Sequence, residues 1–238
     1  MLSIISIITD TSMPVKILYV TATATESDSL KNIAGAVSVQ GSYHIGNLEL
    51  MPLITGVGTV STAWAMKQWI SVNGKPDLAI NGGIAGSFKE DYKIGDVVMP
   101  VSDCFADAGI EDGDKFITLF EAGLMNPDES PFREGFIWAN LEFSLGKLSI
   151  LKKVRAITVN TATGSKSTLV KLLKKYNPDI ETMEGAAFFY ICARENIPFM
   201  ALRAISNRVE PRNKQNWNIS LALENLSGTL REVLIRLE

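Results

Sequence analysis

The sequence predicts a single α/β domain built on a twisted, mixed but largely parallel central sheet flanked by helices. Three observations carry that reading. Short apolar, β-branched runs recur along the chain, several without polar alternation, which suits strands covered on both faces. Helical periodicity fills the intervals between them. Three helix exits use the same punctuation before an apolar run, at Asn73-Gly-Lys-Pro76, Asn177-Pro178 and Asn196-Ile-Pro198; Asn tolerates the left-handed cap and Pro forbids continuation, so the chain turns back into a strand each time.

In chain order, strands are expected at 16–21 (KILYVT), 48–55 (LELMPLIT), 77–81 (DLAIN), 96–101 (DVVMPV), 154–160 (VRAITVN) and 199–206 (FMALRAIS). Helices are expected at 60–72, 166–176 and 184–195. A last amphipathic helix has Leu223, Leu226, Leu230, Leu234 and Leu237 recurring at three- and four-residue steps. The stretch 104–146, rich in Gly, Asp and Phe, reads as a long functional loop with some short structure. No linker, repeat or low-complexity tract divides the chain, so 14–238 is read as one domain and 1–13 as an extension outside the fold, with Met13 an alternative start.

Composition narrows the function classes. The chain has 238 residues, 46% of them hydrophobic, enough for a sizeable core. The net charge of −3 is spread along the sequence, so no basic stripe points to nucleic acid or a membrane surface. Cys104 and Cys192 are the only cysteines and form no CxxC pattern, which fits a reducing cytoplasm and excludes a thiolate metal site. The one histidine, His44, sits in a probable hairpin; a His-rich zinc site is excluded and a Ser-His-Asp triad would have to be built on this residue. The apolar stretch near the start lacks a basic flank and is too short to span a bilayer.

The strand ends carry the chemistry. "TGVGTVSTAW" at 55–64 and "INGGIAGSF" at 80–88 place glycines, bare N–H groups and hydroxyls after strands, where a ligand can approach the backbone; a tight turn without a ligand would look the same. "TGSKST" at 163–168 lacks the glycine of a phosphate-cradling loop before Lys166. Glu184 opens a helix of small and apolar residues, and a carboxylate there needs partners, although a helix-start glutamate is also favoured by the macrodipole. Glu26, after the first strand, is a natural general base in a chain without a usable histidine; an N-capping surface glutamate is the plainer alternative.

Taken together, Glu26, "GVGTVSTAWA", "NGGIAG", "TMEGAAFFYIC" and "RAISN" resemble the nucleoside phosphorylase and nucleosidase superfamily in order and spacing, over residues 15–236. Within it the chain is most similar to the futalosine hydrolase branch, through "VTAT" before Glu26, "FADAG" at 105–109, and the segment 203–226 with Asn207, Glu210, Arg212, Trp217 and Ile219. The methylthioadenosine nucleosidases of the superfamily typically carry Asp at the position of Asn207. An amide suits a 6-oxopurine: its NH2 meets O6 while its carbonyl meets N7–H as the base departs.

The resemblance implies a nucleoside phosphorylase-like fold and hydrolysis of futalosine at its N-ribosidic bond, releasing hypoxanthine in menaquinone biosynthesis, through an oxocarbenium-like sugar. It assigns Glu26 to deprotonate the attacking water, Glu184 to the ribose hydroxyls with Met183 beside the sugar, and Asn207 to the purine. Ile84, Ala85 and Gly86 would line sugar and base, and Thr161, Ala162 and Thr163 the base pocket. Phe105, Phe116 and Phe120 are candidates for an apolar slot around the aromatic group of futalosine, and Arg208 and Arg212 for its carboxylate. It implies no cofactor or metal, and a homo-oligomer, dimer or larger, in which a neighbour closes the 5′ side. A phosphorylase needs cations to hold phosphate; the "NGGIAG" loop has none, which favours water as nucleophile. The alternatives are a 5′-methylthioadenosine/S-adenosylhomocysteine nucleosidase, a 6-oxopurine nucleoside phosphorylase and, from another class, a non-catalytic nucleotide-binding module.

Overall fold

The computed structural model describes residues 13–31, 33, 37–39, 41–140, 151–211 and 213–237. The expectations for 1–12 and for Arg212 therefore lie outside the described residues. Each expected strand and helix is present. The strands are β1 (Val15–Thr21), β4 (Leu48–Ile54), β5 (Leu78–Ser87), β6 (Val97–Asp103), β11 (Lys152–Thr158) and β13 (Phe199–Arg208). The helices are α2 (Thr59–Asn73), α3 (Lys166–Tyr176), α4 (Gly185–Glu195) and α5 (Ile219–Leu237), preceded by a single-turn α1 (Ala24–Ser27). Asn177 and Asn196 do cap α3 and α4 in the left-handed conformation.

Short elements complete the sheet: β2 (Val37–Val39), β3 (Ser42–Ile45), β9 (Phe132–Arg133), β10 (Phe136–Trp138) and β12 (Ile180–Thr182), with β7 (Gly109–Asp112) and β8 (Lys115–Thr118) forming a separate hairpin. The strand carrying His44 pairs antiparallel with β4, as expected of a hairpin.

The sheet departs from an open, flanked one. β5 pairs with β13, β13 with β6, β6 with β11, β11 with β12, and β12 with β5, so five strands close into a ring. Parallel and antiparallel ladders alternate unevenly around it. Closure follows from β5, which pairs with β1 through Asn81 and then with β12 from Gly86 onward. The "NGGIAG" segment is therefore not a turn after a strand. It continues the strand, because ladders to its neighbours satisfy its backbone and outweigh glycine's weak strand preference.

Burial follows strand alternation. Ile17 and Tyr19 of β1 pack in the cluster that receives Ala222, Leu226, Leu230, Val233 and Leu234 of α5. Leu18 and Val20 face the other way, against Met66 and Ile70 of α2 and Phe188, Phe189 and Cys192 of α4. A third cluster takes Ala85, Val98, Val154, Ala156, Ile180 and Ile205, at least one from each ring strand, as the inside of a closed ring requires.

Candidate active site

The site forms where β1 leaves β5 and β12 has not yet joined. In that gap the Ile84 N–H is free for a side chain, and Glu26 takes it: its Oε1 accepts at 3.2 Å. The other oxygen accepts from the Thr23 N–H and hydroxyl, both at 2.9 Å, while the Glu26 N–H donates back to Thr23 Oγ1. This capping box is the alternative raised by the sequence, and here it serves the other reading by fixing a buried carboxylate at a strand end. Gly83 lies beneath it. A Cβ there would stand 2.9 Å from Glu26 Oε1 and in ordinary contact, 3.7 Å, with an Arg203 nitrogen, so any larger residue would push the carboxylate from this position.

Arg203 is the residue that sequence reading missed. It sits in the apolar run of β13, 2% exposed, donating to the carbonyls of Asn81 at 2.8 Å and Leu202 at 3.1 Å and to the Asn81 side chain. The signal was available: a fully buried arginine amid aliphatics must be paired. Its field is shared by Glu184, Glu26 and Asp103, which hold its charge against the cost of burial. One buried cation thus faces three acids, of which burial inclines Glu184 and Asp103 toward the neutral form.

Glu184 caps α4 and reaches across to the first glycine turn, where its Oε1 accepts the Gly58 N–H at 2.9 Å. Burial raises its pKa above the usual carboxylate range, the Gly58 and Arg203 contributions oppose this, and Glu26 adds to it. Beneath α4 lies Asp103, 1% exposed. Its Oδ1 accepts from the Cys104 N–H at 2.8 Å and the Thr158 hydroxyl at 2.9 Å. Thr158 and Thr182 in turn accept the Ala186 and Gly185 N–H groups, so this network fixes the helix start beside Met183 and Glu184. Asp103 Oδ2 makes no hydrogen bond and occupies the place of a Gly185 Cβ, 2.1 Å away. Burial, foremost, pushes the Asp103 pKa up to about 7.

Asn207 follows a β-bulge between Ile205 and Asn207, which re-aims its side chain at the ring mouth. The Ser206 hydroxyl donates to its Oδ1 at 2.8 Å and its Nδ2 donates to the Arg208 carbonyl at 2.8 Å. One lone pair and one N–H remain for a ligand.

These groups share one cleft of about 220 Å³. Glu26, Glu184, Asn207, Met183, Ile84, Ala85, Gly86, Ala162, Thr163 and Arg208 all line it, together with Glu181, Glu210 and Trp217. Thr161 and Phe116 line a neighbouring depression, and Phe105 and Phe120 a third cavity, where Phe105 stacks edge-on against Tyr190. The structure thus does not bring the expected aromatic slot to this cleft. Arg208 reaches it, but its guanidinium is spent on the carbonyls of Lys89 and Glu90. Among the described residues no group of three or more His, Cys, Asp or Glu could hold a metal, and no helix is long and apolar enough to cross a membrane.

A futalosine hydrolase of Streptomyces coelicolor is 28% identical over 92% of this chain and 96% of its own. A 5′-methylthioadenosine/S-adenosylhomocysteine nucleosidase of Buchnera aphidicola is 25% identical over 87% and 86%. The solved futalosine hydrolase of Helicobacter pylori superposes with a TM-score of 0.75 at 17% identity, over 92% of this chain and 97% of its own, and so shares the fold. With the phosphorylase superfamily profile matching residues 16–235, the chain belongs to that superfamily.

Proposed function

We propose that this protein hydrolyses the N-ribosidic bond of futalosine and releases hypoxanthine, a step of menaquinone biosynthesis. The observation that carries the reading is the single cleft in which a fixed carboxylate, Glu26, a second acid at a helix start, Glu184, and an amide, Asn207, converge. Developing positive charge on the ribose is favoured by the carboxylates around it, and Glu26 takes the proton from an attacking water. Arg203, bonded to Asn81, faces the acids electrostatically without lining the cleft.

Water rather than phosphate is supported by the lining. Among the described residues Glu26, Glu181, Glu184 and Glu210 line the cleft, and Arg208, the arginine there, gives Nη1 and Nη2 to the Lys89 and Glu90 carbonyls. A phosphate dianion would find little cationic side chain to hold it among these described residues. Asn207 in place of an acid supports a 6-oxopurine over adenine. The similarity to a methylthioadenosine nucleosidase makes that activity the second reading, and the amide is what disfavours it.

The family resemblance supports a homo-oligomer, dimer or larger. The exposed apolar residues Ile54, Val57, Val60 and Trp64 agree with this, Trp64 being 70% exposed and Val57 lining the cleft itself. Buried free thiols at Cys104 and Cys192 fit a cytoplasmic setting. Incubation with futalosine, inosine and methylthioadenosine, with chromatography of the released base, tests the substrate: hypoxanthine from futalosine is expected, and adenine released with comparable efficiency would favour the second reading.

A further inference from the structure

The ring closure sets a second polar side chain against Asn207. Glu181 of β12 and Asn207 of β13 both register with Gly86 of β5, one from each side. Residues on one rung project to one face, and over Gly86 the amide of Asn207 and the Val209 side chain take the space a Cβ would need, Nδ2 lying 3.1 Å from its position. Both line the cleft. Glu26 meets β5 two residues earlier, at Ile84, so the rung lies about 7 Å further along the strand than the base that activates water. That places the pair at the purine end of a nucleoside whose sugar lies by Glu26 and Glu184.

Glu181 is 8% exposed and held from one side only. The Thr163 N–H donates to Oε1 at 2.8 Å and the Thr163 hydroxyl to Oε2. A carboxylate has about four acceptor sites, so the cleft-facing lone pairs remain for a ligand hydrogen. Burial raises its pKa and the two Thr163 bonds lower it. An acid fixed in this way, beside an amide, is an acceptor awaiting a donor.

We propose that Glu181 is a specificity-determining residue that accepts the N1–H of a 6-oxopurine while Asn207 meets O6 and N7–H. The chemistry separates the two purine classes. A 6-oxopurine carries a hydrogen on N1, whereas a 6-aminopurine presents a lone pair there, facing the negative carboxylate. Two adjacent readers then agree on one base, and neither position was assigned this joint role by the order of the sequence motifs. The inference rests on reading the cleft as a purine nucleosidase site.

The test is calorimetric binding of free hypoxanthine and free adenine to the intact protein, alongside cleavage of inosine. Glu181→Gln keeps the size and one oxygen for Thr163 but turns an acceptor into an NH2. It should weaken hypoxanthine about ten- to hundredfold, as for loss of a hydrogen bond to a charged group, and leave adenine unchanged or tighter. Thr163→Val, which frees one carboxylate oxygen, should lower the hypoxanthine-to-adenine preference in the same direction by a smaller factor, and it carries the test if the first variant does not fold. Equal losses for both bases, or an unchanged preference in the folded variants, would overturn the role of Glu181 while wild-type cleavage of inosine keeps the nucleosidase reading. A wild-type protein that binds neither base and cleaves no nucleoside would overturn both.

Discussion

Asp103→Asn isolates a buried acid that the fold holds for its geometry. In the folded chain burial moves its pKa from 3.8 to about 7. Below about pH 4 the carboxyl is protonated in folded and unfolded chains alike, and its contribution to stability is complete. As pH rises toward 7 the unfolded chain has released the proton while the folded chain keeps it, so stability is lost at about 1.36 kcal/mol per pH unit. Over the whole window this amounts to about 4 kcal/mol, and between pH 5 and pH 8 to about 3 kcal/mol. Asparagine retains an acceptor for Cys104 and Thr158 and does not titrate. Urea unfolding of wild type and variant at pH 5, 6, 7 and 8 should therefore show the wild type losing stability relative to Asp103→Asn up to about pH 7 and running parallel above it. Parallel curves throughout would refute the account of Asp103 as an acid protonated by burial.

The remaining predictions concern the cleft. Gly83→Ala pushes a Cβ toward Glu26 Oε1, the end of a flexible side chain; kcat should fall about a hundredfold, the usual scale for lost acid–base help, with a melting temperature close to wild type. A full-rate Gly83→Ala enzyme would separate Glu26 from the chemistry. Asn207→Asp should shift kcat/KM toward 6-aminopurine nucleosides by about tenfold, the scale of one hydrogen bond, read with inosine and methylthioadenosine in competition; an unmoved preference removes the amide argument. Arg208→Ala should change KM for futalosine and inosine by the same factor, because its guanidinium serves the Lys89 and Glu90 carbonyls; a larger rise for futalosine would return it to the substrate carboxylate.

Much of this arrangement is legible in the sequence, and the illegible part has identifiable causes. The apolar runs and the Asn-Pro exits place the main strands and helices because both signals are local. Ring closure is not local. It depends on β12, three residues long, and on β5 continuing through glycines whose own preference is against a strand. Glu26, Glu184 and Asn207 stand out as polar groups at the ends of apolar runs, and the fold gathers them in one cleft. Arg203 and Glu181 are hidden inside such runs and acquire meaning only from what closes over them. Thr161 and the phenylalanines at 105, 116 and 120 line neighbouring cavities instead, a placement set by how the 104–140 segment folds over the sheet and not by any local signal.

The central claim is that Glu26 directs water, rather than phosphate, at a 6-oxopurine nucleoside. Turnover of futalosine by the wild type and Glu26→Gln, with and without inorganic phosphate, and with identification of the sugar product, measures it most directly. The account predicts hypoxanthine and a free sugar at a rate indifferent to phosphate, and a loss of about a hundredfold or more in the variant. A phosphorylated sugar formed only when phosphate is present, or a Glu26→Gln enzyme as fast as wild type, would contradict it.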